Sequence, residues 1–222
     1  MAQPKIWLAS NSPRRREILS WTGWDIKASA ANIDESRRGQ EPAHDFVLRL
    51  AYEKADHPIP GITSDQVVIA ADTIVVLDEE ILGKPSDDAN AFDMLKSLGG
   101  RTHRVMTGLA VRSVASGKFY QDICRTNVEM RPYTDKEIRQ YIASGDPTDK
   151  AGGYAIQNVD FHPVVDFSGC FSSVMGMPLC HLERILRKLI LTEPVGLAQI
   201  CQNHLKYDCP IAGRIMAGED IG

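Results

Sequence analysis

The residue around which a chemistry can be built is Asp72, which ends the unbroken apolar run VVIAA at 67–71; a lysine, Lys84, follows beyond a polar turn. A run with no alternation of apolar and polar residues reads as a strand covered on both faces, in the middle of an α/β sheet. In such sheets ligands bind in the crevice outside the carboxyl ends of the strands, so a carboxylate there can meet solvent, a metal ion or a substrate. The plainer alternative is an Asp that only starts a turn by bonding its own backbone. A second concentration of charge lies at Arg14, Arg15 and Arg16, directly after Ser12-Pro13. Ser at the N-cap and Pro at the first helical position open a helix there. Three cations at the positive end of a helix dipole are unfavourable unless something negative sits with them, which suggests an anion site over a capped surface helix with solvated arginines. With Asp72 and Glu35 as hard oxygen donors and several Lys and Arg nearby, the set suits a polyphosphate held through Mg²⁺ or Mn²⁺.

These groups need a scaffold, and the chain offers one in order. Lys5–Ser10 reads as a first strand, followed by the helix from Ser12 to about Gly23, with Gly23 as its left-handed C-terminal residue. A strand at Trp24–Ala30 leads into a polar loop with Asp34, Glu35, Arg37 and Arg38. Pro42 then opens a helix in which Phe46, Val47, Leu50, Ala51 and Lys54 mark out the faces. After the strand and hairpin of Gln66–Pro85, Ser86 is expected to cap a helix that stops at Gly99-Gly100. Two β-rich runs within Thr102–Arg131 join at Ala115-Ser116-Gly117-Lys118 as a hairpin. Thr134 and Glu137 form a capping box for a helix ending near Gly145. The glycine-bearing stretch DPTDKAGGYAIQ follows, then a strand in FHPVVDFSG and a final amphipathic helix from Pro178, LCHLERILRKLIL. Residues 192–222 have weak periodicity and read as an appended tail.

The 222 residues are 43% hydrophobic and 24% charged, with a net charge of -4, as in an ordinary globular protein. The acidic balance argues against coating a nucleic-acid polymer, whereas a small anion needs only a local basic pocket. No apolar run approaches the roughly 20 residues that span a bilayer, and no leader pattern is seen, so a cytoplasmic location is expected. Five scattered cysteines read as free thiols of a reducing compartment; Cys201, His204 and Cys209 lack a fourth partner for zinc and are read as plain tail residues. No nucleophilic triad, Walker phosphate loop, dinucleotide fingerprint or paired-His zinc motif is legible, which favours direct attack by an activated water.

Five stretches carry a resemblance to a known family: LASNSPRRREIL (8–19), VIAADTIVV with ILGKP (68–85), GRTHRVMTG (100–108), SGDPTDKAGGYAIQ (144–157) and FSSVMGMPL (171–179). In this order, over roughly residues 5–190, the chain resembles the Maf family of nucleoside triphosphate pyrophosphatases. The resemblance implies an α/β fold shared with inosine triphosphate pyrophosphatases, a long twisted mixed sheet with helices on two lobes flanking a cleft. It implies a Maf-like domain over 1–191 with a C-terminal extension over 192–222 that has no counterpart in the pattern. It further implies hydrolysis of a nucleoside triphosphate to monophosphate and pyrophosphate with a divalent cation. Arg14, Thr73 and Gln157 match the branch acting on dTTP and UTP, rather than the one acting on 7-methyl-GTP. By carry-over Asp72 is the expected catalytic base, Arg14, Thr73 and Gln157 select the substrate, Ser10, Arg15, Lys54, Lys84 and Lys150 contact phosphates, and Glu35 joins Asp72 at the metal. Gly153 stands where the family often has Ala. Two rivals remain at this level: a nucleotide-binding regulator of division or envelope growth with little turnover, and a purine-specific enzyme of the same class. A homodimer is possible, and no segment forces one.

Overall fold

The computed structural model describes residues 4–189 and 195–222. Its centre is β3 (Gln66–Leu77), a strand buried along almost its whole length, as its apolar run requires. On one side β3 pairs in parallel with β1 (Lys5–Ala9), which in turn pairs in parallel with β2 (Asp25–Ser29). On its other side come the antiparallel strands β5 (Thr102–Ser113), β6 (Phe119–Met130) and β7 (Val164–Ser168). The short β4 (Glu80–Leu82) returns from the end of β3 and completes a seven-stranded mixed sheet.

One detail of register positions everything that follows. The pairing of β1 with β3 ends at Leu8–Ile69, and that of β4 begins at Val75–Leu82. Among the described residues, no strand pairs with 70–74 on that side. The sheet is therefore notched beside Asp72 and Thr73.

Because side chains alternate along a strand, even and odd positions of β3 serve different layers. Val68, Ala70, Ile74 and Val76 pack toward α2 (Ala43–Asp56). Val67, Ile69 and Ala71 face α1 (Pro13–Ser20) and α6 (Leu179–Leu189), while Val75 and Leu77 belong to a separate core with α3 (Asp88–Leu98) and α4 (Asp135–Ala143). The odd face thus carries two cores with the notch between them, the two-lobed arrangement expected from the sequence.

Local signals mostly act as anticipated. Ser12 caps α1, with Pro13 at its first position, and Gly23 adopts φ 69° after a tight turn that follows the helix. Thr134 and Glu137 make both halves of the capping box. Three details differ. Asp87, not Ser86, caps α3, because its carboxylate accepts the Asn90 N–H at 2.8 Å. Arg16 bonds Asn11 beside the helix start and does not line the cleft, so of the three arginines only Arg14 and Arg15 do. The expected tail contains α7 (Leu197–Leu205) and α8 (Ala212–Met216), so α6 is not the last helix. Leu197 and Cys201 enter the core shared by α1 and α6, and buried Glu183 accepts the N–H groups of Val195, Gly196 and Leu197 at the start of α7. Weak periodicity concealed this, since α7 buries only those two side chains. Residues 190–191 of the anticipated α6, and the boundary between 191 and 192, lie outside the described residues. His204 stacks on Trp21 with ring centroids 4.8 Å apart.

Candidate active site

The notch opens into a cleft of about 610 Å³, within the range of small-molecule sites. All ten residues singled out in the sequence line it: Ser10, Arg14, Arg15, Glu35, Lys54, Asp72, Thr73, Lys84, Lys150 and Gln157. They come from α1, α2, β3 and the loops between elements, stretches far apart in the chain.

On the α2 side the cleft is acidic around one lysine. Lys54, on the buried face of α2, places Nζ 2.6 Å from Asp72 and 2.7 Å from Glu35. The lysine and Asp72 side chains are 9% and 11% exposed, whereas Glu35 reaches in from its loop and is 49% exposed. Burial pushes the Glu35 carboxyl up, but Lys54, Lys84 and Arg15 outweigh it and leave the group below its ordinary range. Lys84 itself is exposed at the rim. An ammonium shared by two carboxylates marks a spot where positive charge is favoured. These two hard oxygen donors fit a divalent cation of the Mg²⁺ type, which takes one or two carboxylates and fills its remaining positions with phosphate and water. Among the described residues no cluster of three His, Cys, Asp or Glu could cage a metal by itself.

The opposite face of β3 is organised by hydrogen bonds around one buried guanidinium. Arg15 donates through Nη2 to Thr73 Oγ1 at 3.1 Å, through Nη1 to Ser10 at 3.4 Å, and through Nε to the Gly176 carbonyl at 3.0 Å. Burial lowers the pKa of its guanidinium, and the charge of Asp72 works against that shift. Gly176 has φ 101°, and a Cβ there would come within 3.3 Å of the Thr73 hydroxyl, so the close approach requires glycine.

An ion pair crosses the cleft, from Arg14 on α1 to Asp149 at 3.2 Å. Lys150 also bonds Asp149, at 2.7 Å, and Asp146, at 2.9 Å. Burial raises the Asp149 carboxyl, but Lys150 and Arg14 hold it below the usual range. Lys150 therefore has its charge matched within its own loop, and contact with a phosphate requires an exchange of partners. The Gly152-Gly153 turn packs against β3: a Cβ on Gly152, at φ 70°, would meet Val75 at 2.9 Å. That packing carries Gln157 to the rim, exposed and with no hydrogen bond among the described residues.

Asn11, Asn32, Asp149, Tyr154 and Gly176 also line the cleft and were not singled out from the sequence. Asp149 and Gly176 lie within quoted motifs, but their partners stand far away in the chain, and spacing alone does not reveal such pairs.

The family model described as Maf-like protein matches residues 5–189. This chain belongs to the Maf family. Among its Maf relatives, the dTTP/UTP pyrophosphatase of Geotalea uraniireducens is 43% identical over 188 residues, covering 85% of this chain and 96% of that protein. The dTTP/UTP pyrophosphatase of Escherichia coli strain CFT073 is 41% identical over 181 residues, 82% of this chain and 91% of its own. That of Hydrogenovibrio crunogenus is 39% identical over 185 residues, with 83% and 95% covered. The Ham1 protein structure from Staphylococcus aureus overlays 91% of this Maf chain and 96% of its own length at 14% identity and a TM-score of 0.42, too remote a likeness to inform the site.

Proposed function

We propose that this chain hydrolyses dTTP and UTP to the monophosphate and pyrophosphate. The observation that carries the reading is the buried Asp72, held by Lys54 beside Glu35, in a cleft that also gathers Arg14, Thr73 and Gln157. The names of the relatives supply the substrate class.

In this reading Asp72 accepts the proton of a water that attacks the α-phosphorus in line, and pyrophosphate is the leaving group. Lys54 fixes the carboxylate and neutralises charge that grows on the phosphate oxygens. Arg15, Lys84 and the start of α1 hold the triphosphate, with Ser10 keeping Arg15 in place and Lys150 joining after it releases an aspartate. Glu35 and Asp72 would hold Mg²⁺ or Mn²⁺, which when bound polarises water and offsets phosphate charge. Thr73 and Gln157 bond the pyrimidine edge, and a purine presents them with a different size and donor–acceptor pattern. Arg14 is released from Asp149 as the substrate enters. Among the described residues no helix is long and apolar enough to cross a membrane, and five free thiols support a cytoplasmic setting.

The test is a panel of dTTP, UTP, CTP, ATP, GTP and 7-methyl-GTP with Mg²⁺ or Mn²⁺, assayed separately for pyrophosphate and orthophosphate. Pyrophosphate from dTTP and UTP is expected, with kcat lowered about 10²- to 10⁴-fold in Asp72→Asn. Orthophosphate as the product, preference for a purine, or undiminished turnover in the variant overturns the reading.

A further inference from the structure

We propose that Thr107 is a positioning residue that turns Thr73 into a fixed hydrogen-bond acceptor toward the base, and thereby selects a pyrimidine with an N3–H over one with a bare N3. The inference rests on the pyrimidine reading above and extends it to a residue that lies outside the cleft wall.

Thr107 sits on β5 directly opposite Thr73 in the antiparallel register and is fully buried. Its hydroxyl lies 2.8 Å from the Ser173 carbonyl and 3.0 Å from the Thr73 hydroxyl. A carbonyl oxygen can only accept, so the Thr107 proton goes to Ser173. A hydroxyl has one proton, so Thr107 must accept from Thr73, and the proton of Thr73 is committed as well. Arg15 then takes one of the two lone pairs on Thr73 Oγ1. What Thr73 can offer to the cleft is its second lone pair.

This direction is locked by a closed ring. The Ser173 carbonyl is held in place by the Gly176 N–H at 2.8 Å, and the Gly176 carbonyl accepts from Arg15 Nε, which returns to Thr73 through the same guanidinium. No member can reverse its bond without leaving a buried donor or acceptor unpaired. Gln157 lacks this rigidity. It is exposed, and a side-chain amide can flip to present either a donor or an acceptor. Of the two base-edge residues, only Thr73 can discriminate by direction. Uracil and thymine present N3–H to its lone pair, while cytosine presents N3 as a second acceptor facing it.

The experiment measures kcat and KM for UTP and CTP in the wild type, Thr107→Val and Thr107→Ser, with a thermal melt for each. In folded Thr107→Val the Thr73 hydroxyl is free to rotate and donate, so the UTP-to-CTP ratio of kcat/KM should fall about tenfold or more, mainly through KM. Thr107→Ser restores the donor to Ser173 and should keep the ratio. A folded Thr107→Val with an unchanged ratio overturns the proposal while leaving the pyrophosphatase reading intact. If that variant does not fold, the wild type decides with N3-methyl-UTP: rejection of both this analogue and CTP supports the proposal, and efficient turnover of either refutes it. Failure of the wild type to hydrolyse UTP and dTTP removes both readings together.

Discussion

Replacing Lys54 with methionine tests the electrostatic centre of the cleft apart from catalysis. The substitution keeps an unbranched apolar stem in the buried face of α2 and removes the ammonium that sits 2.6 Å from Asp72 and 2.7 Å from Glu35. Deleting one partner of a fully buried ion pair costs about 3–5 kcal/mol, because the charge left behind is uncompensated. Asp72 is close to that limit, but Glu35 is half in solvent and can swing away, so a loss of about 2–3 kcal/mol is the reasoned figure. For a chain of this size each kcal/mol moves Tm by about 2–4 °C, which gives a fall of roughly 4–12 °C. The assay is a thermal melt with and without Mg²⁺ or Mn²⁺. Without the ammonium two carboxylates face one another, so the divalent cation should raise Tm more in Lys54→Met than in the wild type. Adding Asp72→Asn should recover part of the loss, since the stranded charge is gone. A melting temperature within 1 °C of the wild type, or equal response of both proteins to the cation, would refute the assignment of Lys54 as the neutralising group between these acids.

Two further outcomes can be read from the geometry. Gly108→Ala places a Cβ 2.7 Å from the Val47 carbonyl oxygen of α2, an overlap that should cost about 1–3 kcal/mol and displace the helix that carries Lys54. Chemical unfolding and kcat should therefore fall together; an unperturbed variant would mean that α2 has slack there. Acidification probes the buried imidazoles of His103 and His181, both held down at about 4 by burial. Their unfolded value is about 6.5, so between those limits the unfolded chain binds the extra protons and stability rises with pH. The contribution is whole above about pH 6.5 and is lost toward pH 4, at a limiting slope of about 1.4 kcal/mol per pH unit for each histidine. Urea midpoints at pH 7.5 and 5 measure it; equal midpoints would contradict the burial argument.

What the sequence disclosed follows the range of the forces involved. The continuous apolar run of β3, the turn at 115–118 and the Thr134–Glu137 box are local patterns, and each forms the expected element. The ten cleft residues were legible chiefly through motif resemblance: by themselves Glu35 and Lys54 look like ordinary solvated charges, and nothing local joins either to Asp72. The Thr73–Thr107 pair depends on strand register, and the Arg14–Asp149 pair on how two lobes face each other. Both are set by tertiary packing, on which sequence spacing is silent. The glycine ending GRTHRVMTG shows the same limit, since Gly108 is demanded by the backbone of α2 and not by a turn.

Asp72 and Thr73 are neighbours on a strand and so project to opposite faces of the sheet. In a sheet paired on both edges, no ligand could touch both. Here the pairing of β1 along β3 ends at Ile69 and that of β4 resumes only at Val75, so among the described residues the edge at 70–74 stands open and the cleft reaches both faces. The break in pairing lets two consecutive residues serve separate purposes: Asp72 lies against α2 with Lys54 and Glu35, while Thr73 lies among Arg15, Thr107 and Gly176. The two faces are also different solvents. One is charged and can exchange cations, whereas the other is a closed ring of hydrogen bonds whose directions cannot change singly. A rigid recognition surface beside an adaptable electrostatic one follows from where two short strands stop, and extending the pairing of either strand along β3 would narrow the notch.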